Sequence, residues 1–576
     1  MPEVEQGTAT VGGRLRVLAV CLAVSLAAVL PLHLLPRVPL EGGPWHLRMP
    51  ATHDVAMHFD YMRSFARGLA SGRLYPRWEE EANHGFGAPS TAFHPPALYY
   101  VTSLVYAVVR DWGWTFFWTD LLLMVGSGLA LYAYSRRSLS PPGAVAAMVA
   151  YLLLPYHLID LYERGALAEC LVFVWMPLVW LFAEGLIEAE SRGQRLRQAA
   201  GLAVTYGAML WSHPPTAFQF SLATGLLAAA LALHQRRIGP LVALVAAAAL
   251  GLGLAAAYLY PAIVEQGFIR SDLFRSRWAY GDNYFPSPPP SEAPAAFWSL
   301  LTETWAFDGL GLLLLAAPLL LRPVRRALPA RLARQVLLWT GVGACVWVLM
   351  TRLAAPLEPL LPGLAMSSFP WRMLSVATLV LSLLLGAAVE AGRTLARSSE
   401  RSVAAAVAGT VAIVGAGALL FSAWRVVAPD AHATLFLPRP DRPRANIFWM
   451  APRWAPEDLR GLPTWEPATL QGGGQVRVER WDPESRILAE ESPGPGHLIV
   501  RTFDFPGWTA SLDGQPLRIG RGSLGHIELE LPPGRHHVAL EFRDTPPRRI
   551  GEAVSLVSLA VVLGLLVWSR RRVPSA

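Results

Sequence analysis

The sequence predicts a polytopic α-helical membrane protein of about twelve spans, with a small extracytoplasmic β-sandwich domain before the last span. Three observations carry this reading. Of 576 residues, 53% are apolar and only 16% charged, and the mean hydropathy is +0.35, too oily for a string of soluble domains. Apolar runs of the roughly 17 to 25 residues that cross a bilayer recur through most of the chain. Between about 425 and 548 the pattern changes to alternating, strand-like stretches such as "QVRVERW", "HLIVRTFDF" and "HHVALEF", separated by turn signals such as "DGQ" and "PPGR".

Taken in order, residues 1–36 hold the first span, which is too long and too weakly followed by small residues to be a simple signal peptide. Residues 37–112 form a large first external loop with juxtamembrane helices, and 113–424 a transmembrane core. Residues 425–548 form the β-sandwich, and 549–576 the final span and a cytoplasmic tail. Crossings are expected near 14–36, 114–135, 143–157, 167–187, 199–211, 216–234, 238–260, 307–321, 334–351, 371–390, 402–424 and 551–568. Arginine-rich loops such as "YSRRS", "SRGQRLRQ", "HQRRIG" and the terminal "SRRRVPSA" order these spans by alternation, with both termini cytoplasmic. The apolar run 96–109 is too short to cross and would spoil that order, so it is read as a helix lying along the outer surface. Residues 261–304, with "YFPSPPPSEAP", read as an irregular external loop over a cavity.

The formal net charge is +7, and every basic side chain other than histidine is arginine, because the sequence contains no lysine. Schiff-base and pyridoxal-phosphate chemistry through a lysine, and a Walker A nucleotide site, are thereby excluded. The arginines cluster as topology signals rather than as a nucleic-acid surface. Cys21, Cys170 and Cys345 lie in apolar runs without paired spacing, so neither a disulfide framework nor a cysteine metal cluster is expected.

Ionisable chemistry concentrates in "ATHDVAMHFDYMRSF", residues 51–65. As a helix over 54–70, it places Asp54, His58, Tyr61 and Phe65 on one stripe and Asp60, Arg63 and Arg67 on another. Six residues at about 100° each turn Asp60 about 120° away from Asp54, so the two acids do not share a task. Asp60 has a helical partner in Arg63; Asp54 has none in sequence and reads either as a helix cap or as a reactive carboxylate. His53 and His58 read as satisfied interfacial histidines or as ligands. In the β domain, aromatics such as Trp508 suit either carbohydrate binding or plain structural support.

The first external loop, followed by "YPRW", "NHGFGAP" and "FHPPALYY" and then many spans, resembles the multi-span glycosyltransferases of the bacterial GT-C superfamily. It looks closest to the membrane family labelled as related to 6-pyruvoyl-tetrahydropterin synthase, although no pterin-synthase zinc motif is visible. "DLYERGALAE" at 160–169, read as a second external loop, "WSHPPTAF" at 211–218 and "SSFPWRML" at 367–374 fit the same resemblance, as does the late "FPGW…DG" region. The resemblance implies a GT-C-like fold in the bacterial inner membrane. It also implies transfer of a sugar from a polyprenyl-phosphate donor to an envelope glycan, lipid or protein hydroxyl on the outer face. By position it makes Asp54 the base, with Asp60 the second candidate.

The residues agree with that chemistry. Attack on an anomeric carbon needs a carboxylate to accept a proton, and the leaving lipid phosphate needs a cation. Arg372, at the outer end of its span, can give a phosphate two parallel hydrogen bonds, or can anchor the helix at the interface. Arg164 can do either that job or pair locally with Glu163 and Glu169. Those two acids suit acceptor hydroxyls or a divalent ion, and His213 reads as a packing corner or a sugar or phosphate contact. No required cofactor is legible, and a divalent cation is compatible with the acids. A single displacement without a second nucleophile predicts inversion. Two other classes compete: a lipid-linked glycan transporter or flippase, for which internal repeats and mid-span charges would be expected, and a non-catalytic envelope assembly protein.

Overall fold

The computed structural model describes residues 11–34, 52–273, 280–289, 294–397, 400–427 and 448–570. The expectations for 35–51, for parts of the 261–304 loop, for the start of the 425–548 region and for the terminal arginines of the tail lie outside the described residues.

Among the described residues, nine helices are long and apolar enough to cross a membrane, or up to eleven if each of two bent pairs counts as one span. The first is α1 (Val11–Leu34). A loop helix, α2 (Val55–Ala70), and the short apolar α3 (Ala97–Val109) follow, the latter where a surface helix is expected. The core then runs through α4 (Trp112–Ser135), α5 (Pro141–Leu153) and α6 (Pro155–Ile159) to α7 (Leu167–Ile187). It continues through α8 (Arg192–Ser212), α9 (Pro214–Gln235), α10 (Gly239–Leu254) and α11 (Ala256–Val264). The later helices are α12 (Ala295–Leu320), α13 (Ala330–Leu349), α14 (Leu374–Leu395) and α15 (Arg401–Phe421), and α16 (Pro546–Arg570) closes the chain. Helix α14 is the hub, buried along most of its length against its neighbours, whereas most of α1 and α16 is not covered by the rest of the protein.

Several boundaries differ from the sequence expectation, each for a physical reason. "DLYERGALAE" is not an irregular loop but helix on both sides of a short break at Gly165–Ala166. The chain bends by 42° at Leu154–Pro155, where proline withholds a donor, and then continues as helix through a π turn at Asp160–Arg164. In that turn Asp160 and Arg164 are buried. The span expected at 199–211 is the second half of α8, whose first half carries Arg192, Arg195 and Arg197. The loop expected at 261–304 ends early, because nothing after Pro294 breaks the helix that starts at Ala295. At the other end of that loop, α10 and α11 meet at 74°. The region expected to be β from 425 is still helical to Val426, and its first strand among the described residues is Ala468–Gln471.

The β domain is a two-sheet antiparallel sandwich. One sheet runs β1 (Ala468–Gln471), β4 (Gly496–Phe503), β8 (His526–Leu531), β7 (Gly520–Arg521). The other runs β2 (Gln475–Asp482), β3 (Ser485–Ser492), β9 (Gly534–Phe542), β5 (Trp508–Leu512), β6 (Gln515–Leu517). Alternation in "HLIVRTF" and "HHVALEF" buries Leu498, Val500, Val538 and Leu540 between the sheets.

The first loop plugs directly into this domain. Trp78 of "YPRW" is 1% exposed and packs on Trp508 at 5.4 Å and Phe542 at 5.2 Å. The main-chain N–H of Phe503 donates to the Phe86 carbonyl at 2.7 Å. Gly87, at φ +77°, is needed because a Cβ there would sit 2.3 Å from the Trp78 indole nitrogen. Arg77 bridges to Asp544 and Glu552, and the buried pair Arg548–Glu265 fastens the start of α16 to the end of α11. Trp508 is itself buried in this junction and offers no face to a sugar, which favours the supporting role for that side chain.

Candidate active site

Asp54 stands at the N-cap position of α2, but its side chain makes no capping hydrogen bond, so the cap reading accounts only for its place. The main chain holds it instead. The N–H of Asp54 donates to the Arg164 carbonyl at 2.8 Å and the N–H of His53 to the Glu163 carbonyl at 3.2 Å, strapping the start of α2 to the π turn. This close approach requires Gly165, whose φ is +58° and whose Cβ, if present, would fall 1.9 Å from the Thr52 hydroxyl oxygen. The Asp54 carboxylate is half-buried and has no hydrogen-bond or ion-pair partner among the described residues.

Beneath it lies a buried charge cluster. Arg164 donates through Nη1 to Tyr156 Oη at 3.1 Å, to Glu169 Oε2 at 2.8 Å and to Asp160. Tyr156 also donates to Glu169 Oε1 at 3.1 Å. Arg372 brings a second guanidinium to the same acid, Nε lying 3.5 Å from Glu169 Oε2. Its Nη1 donates to the Ser367 carbonyl at 2.6 Å, and its plane lies over the Phe369 ring at 4.7 Å. The Gln219 amide holds this corner by donating to Ser367 Oγ at 3.0 Å and to the Phe369 carbonyl at 2.9 Å. Two cations are thus balanced by Asp160 and Glu169, both 0% exposed, as buried charges require. The Nη2 groups of Arg164 and Arg372 have no hydrogen-bond partner among the described residues, and the Asp54 carboxylate lies within electrostatic reach of both guanidiniums.

Three histidines surround this cluster. His58 Nδ1 and His94 Nδ1 share the Tyr99 hydroxyl at 3.2 and 2.8 Å. Burial, with the Arg164 charge second, pushes the His58 imidazole down to about 4. Burial, then His58, pushes His94 down to about 3 against the opposing pull of Asp54. His213 caps α9, its Nδ1 accepting from the Thr216 N–H at 3.4 Å with the Thr216 hydroxyl at 2.8 Å. Burial, followed by the Arg372 and Arg164 charges, holds its imidazole well below the usual histidine range. All three rings are therefore neutral near pH 7.

The sequence candidates are thus partly assembled. Asp54, His58, Arg164, Glu169, His213 and Arg372 share one region. Asp60 lies on another side of α2, in the electrostatic neighbourhood of Arg63 and Tyr61. His53 is exposed and stacks edge-on against Phe297 at 4.8 Å. Glu163 acts on the field at Arg425. Sequence reasoning missed Tyr156, Asp160, His94 and Tyr99. The first two were legible as an i, i+4, i+8 stripe ending at Arg164, had the segment been read as helix. Among the described residues no group of three or more His, Cys, Asp or Glu side chains could hold a metal ion.

A comparison with curated proteins finds no match. Among solved structures, the oligosaccharyltransferase AglB from Archaeoglobus fulgidus, in complex with an inhibitory peptide and a dolichol-phosphate, is 13% identical with a TM-score of 0.42. That match covers 72% of this chain and 56% of AglB, so the chain spans little more than half of that protein. The mycobacterial arabinofuranosyltransferase AftD is 19% identical (TM-score 0.44, covering 72% of this chain and 27% of AftD). ArnT from Cupriavidus metallidurans, bound to undecaprenyl phosphate, is 14% identical (TM-score 0.30, covering 67% and 80%). Residues 91–427, which include His94, Arg164, Glu169, His213 and Arg372 but begin after Asp54, match a family model described as a 6-pyruvoyl-tetrahydropterin synthase related domain, membrane protein. The match takes in more than half of the chain, which therefore belongs to this family of membrane proteins.

Proposed function

We propose that this protein transfers a sugar from a polyprenyl-phosphate donor to a hydroxyl of a cell-envelope acceptor at the outer face of the membrane, inverting the anomeric centre. The observation that carries the reading is the pairing of an uncommitted carboxylate, Asp54, with two guanidiniums, Arg164 and Arg372, that each keep an uncommitted Nη2. Asp54 takes the proton of the acceptor hydroxyl as its oxygen bonds to the anomeric carbon. The bond from that carbon to the phosphate oxygen breaks, and the electron pair leaves with the lipid phosphate. Arg372 and Arg164 receive the charge that develops there. Glu169 and Asp160 act through the arginines, keeping both guanidiniums charged and oriented. The neutral histidines supply hydrogen bonds to a sugar without competing for the phosphate charge.

The test compares membranes carrying the wild-type chain, Asp54→Asn and Asp60→Asn at matched expression, with radiolabelled polyprenyl-phosphate sugars and extracted envelope acceptors. The expected result is a loss of about 100-fold or more in Asp54→Asn, the usual range for a positioned base. Asp60→Asn keeps its activity. Full activity in Asp54→Asn removes the carboxylate from the mechanism. No transfer by any chain across a donor panel removes the enzyme reading itself.

A further inference from the structure

The opposite ends of the same helices carry a second polar cluster, unrelated to the chemistry above. Helix α7 begins beside Glu169 and ends at Glu184 and Glu188; at ~1.5 Å per residue, its 21 residues separate the two ends by about 30 Å, the thickness of a bilayer core. At that far end Glu188 receives three arginines: Arg137 Nη2 at 2.7 Å, Arg331 Nη2 at 2.7 Å and Arg334 Nη2 at 3.1 Å. Arg331 Nε also donates to Ser138 Oγ at 3.3 Å. The second acid, Glu184, accepts from Tyr134 Oη at 2.5 Å and from Gln335 Nε2 at 2.8 Å, with Arg137 Nε at 3.8 Å.

Three guanidiniums therefore face two carboxylates, and one positive charge is left over. The surplus is reinforced by its setting. Arg331 and Arg334 lie within the first five residues of α13, where the helix dipole is itself positive and where the N-cap, Pro329, offers no side-chain acceptor. Cations at a helix N-terminus are unfavourable unless an anion joins them. The network is also incomplete on its donor side: Arg137 Nε and Arg334 Nε are buried without hydrogen-bond partners, and no Nη1 of the three arginines has one among the described residues. The arginine side chains remain 21, 37 and 26% exposed, so a ligand can reach them from the membrane interface.

We infer that Arg137, Arg331 and Arg334 bind the phosphate headgroup of an anionic membrane phospholipid, seated where α4, α7 and α13 meet. A phosphodiester at the interface offers the missing negative charge and oxygen acceptors for the free Nη1 groups, while its acyl chains continue down the apolar helix faces. Inorganic phosphate shares the headgroup chemistry, so the test separates the two sources.

The full chain, purified in a neutral detergent, is titrated with phosphatidylglycerol, phosphatidylcholine or inorganic phosphate, with thermal unfolding and native mass spectrometry as readouts. Phosphatidylglycerol is expected to raise the melting temperature and to stay bound through desolvation of the complex, and the other two to do neither. In Arg331→Gln/Arg334→Gln the apparent affinity for phosphatidylglycerol falls by about tenfold or more. Arg195→Gln/Arg197→Gln, which removes two exposed charges at the start of α8, leaves it unchanged. The inference is overturned by equal stabilisation with both lipids, by undiminished binding in the Arg331/Arg334 variant, or by equal loss in the Arg195/Arg197 variant. Stabilisation by inorganic phosphate alone overturns the lipid assignment. If the Arg331/Arg334 variant does not fold, Arg137→Gln takes its place with the same expected loss.

Discussion

The main-chain N–H of Asp54 donates to the carbonyl of Arg164 at 2.8 Å, so the carboxylate at the start of the loop helix and the guanidinium of the buried cluster belong to one rigid strap. Loop residues are usually mobile, and a reacting group displaced by an ångström loses much of its rate. Here the backbone fixes the separation of Asp54 and Arg164, leaving the Asp54 carboxylate and the Arg164 Nη2 available.

Gly165→Ala should break that strap. The new Cβ would meet the Thr52 hydroxyl oxygen at 1.9 Å and Val55 Cγ2 at 2.6 Å, in a backbone conformation that alanine resists. Transfer is expected to fall by about tenfold or more, with a stability loss of ~1–3 kcal/mol measured by denaturant unfolding. Wild-type transfer by a folded Gly165→Ala protein would show that the strap does not set the geometry.

Acid should destabilise the loop through its histidines. His58 titrates near 4 in the folded chain and near 6.5 unfolded, so between those values the unfolded state binds more protons. Stability present above pH 6.5 is therefore lost as pH falls toward 4, by up to ~3 kcal/mol from this group. His94, held to about 3, extends the loss to lower pH. Melting temperatures measured from pH 7.5 to 4 should fall less steeply in His58→Gln than in the wild type; parallel curves would contradict the assignment.

How much of this was legible in the sequence depends on how local the signal was. The Asp54–His58–Tyr61–Phe65 stripe, a many-helix apolar core and the sandwich follow from periodicities of a few residues and appear, although the described residues hold nine to eleven candidate spans rather than about twelve. Arg372 meeting Glu169 does not follow from any pattern, because it depends on how α7 and α14 pack. The π turn at Asp160–Arg164 was hidden by its composition, since charged residues after a proline read as loop unless their partners are known. For Asp54 the sequence left two readings open, cap or reactive carboxylate, because an aspartate before a helix fits both; the structure puts it at the cap position without a capping hydrogen bond.

Trp78→Ala should loosen the β domain from the first loop. The indole is 1% exposed among Phe505, Trp508 and Phe542, and truncating so large a buried ring costs ~3–5 kcal/mol. The ion pairs of Arg77 with Asp544 and Glu552 are partly exposed on the acid side and compensate little. Limited proteolysis should then release a fragment beginning near the strands, at protease levels that leave the wild type intact. Unchanged proteolysis would mean that the other ties, such as the Phe503 N–H to the Phe86 carbonyl and the Arg548–Glu265 pair, hold the domain without the indole.

Arg372→Lys tests whether the second guanidinium serves the donor or only the fold. In the wild type one arginine fills three places: Nη1 on the Ser367 carbonyl, Nε toward Glu169, and the flat face on Phe369, with Nη2 left over. A lysine keeps the charge, and so spares Glu169 from being buried alone, but its three donors sit on one nitrogen and do not reach the Ser367 carbonyl, Glu169 and a phosphate with the spread of a guanidinium. Folding should therefore survive, while KM for the lipid-phosphate donor rises about tenfold, the scale of one charge-assisted hydrogen bond, and KM for the acceptor stays as it was. An unchanged donor KM in a folded Arg372→Lys protein would reduce Arg372 to a structural partner of Glu169 and leave the phosphate to Arg164. A rise in the acceptor KM instead would exchange the two substrates' places around Asp54.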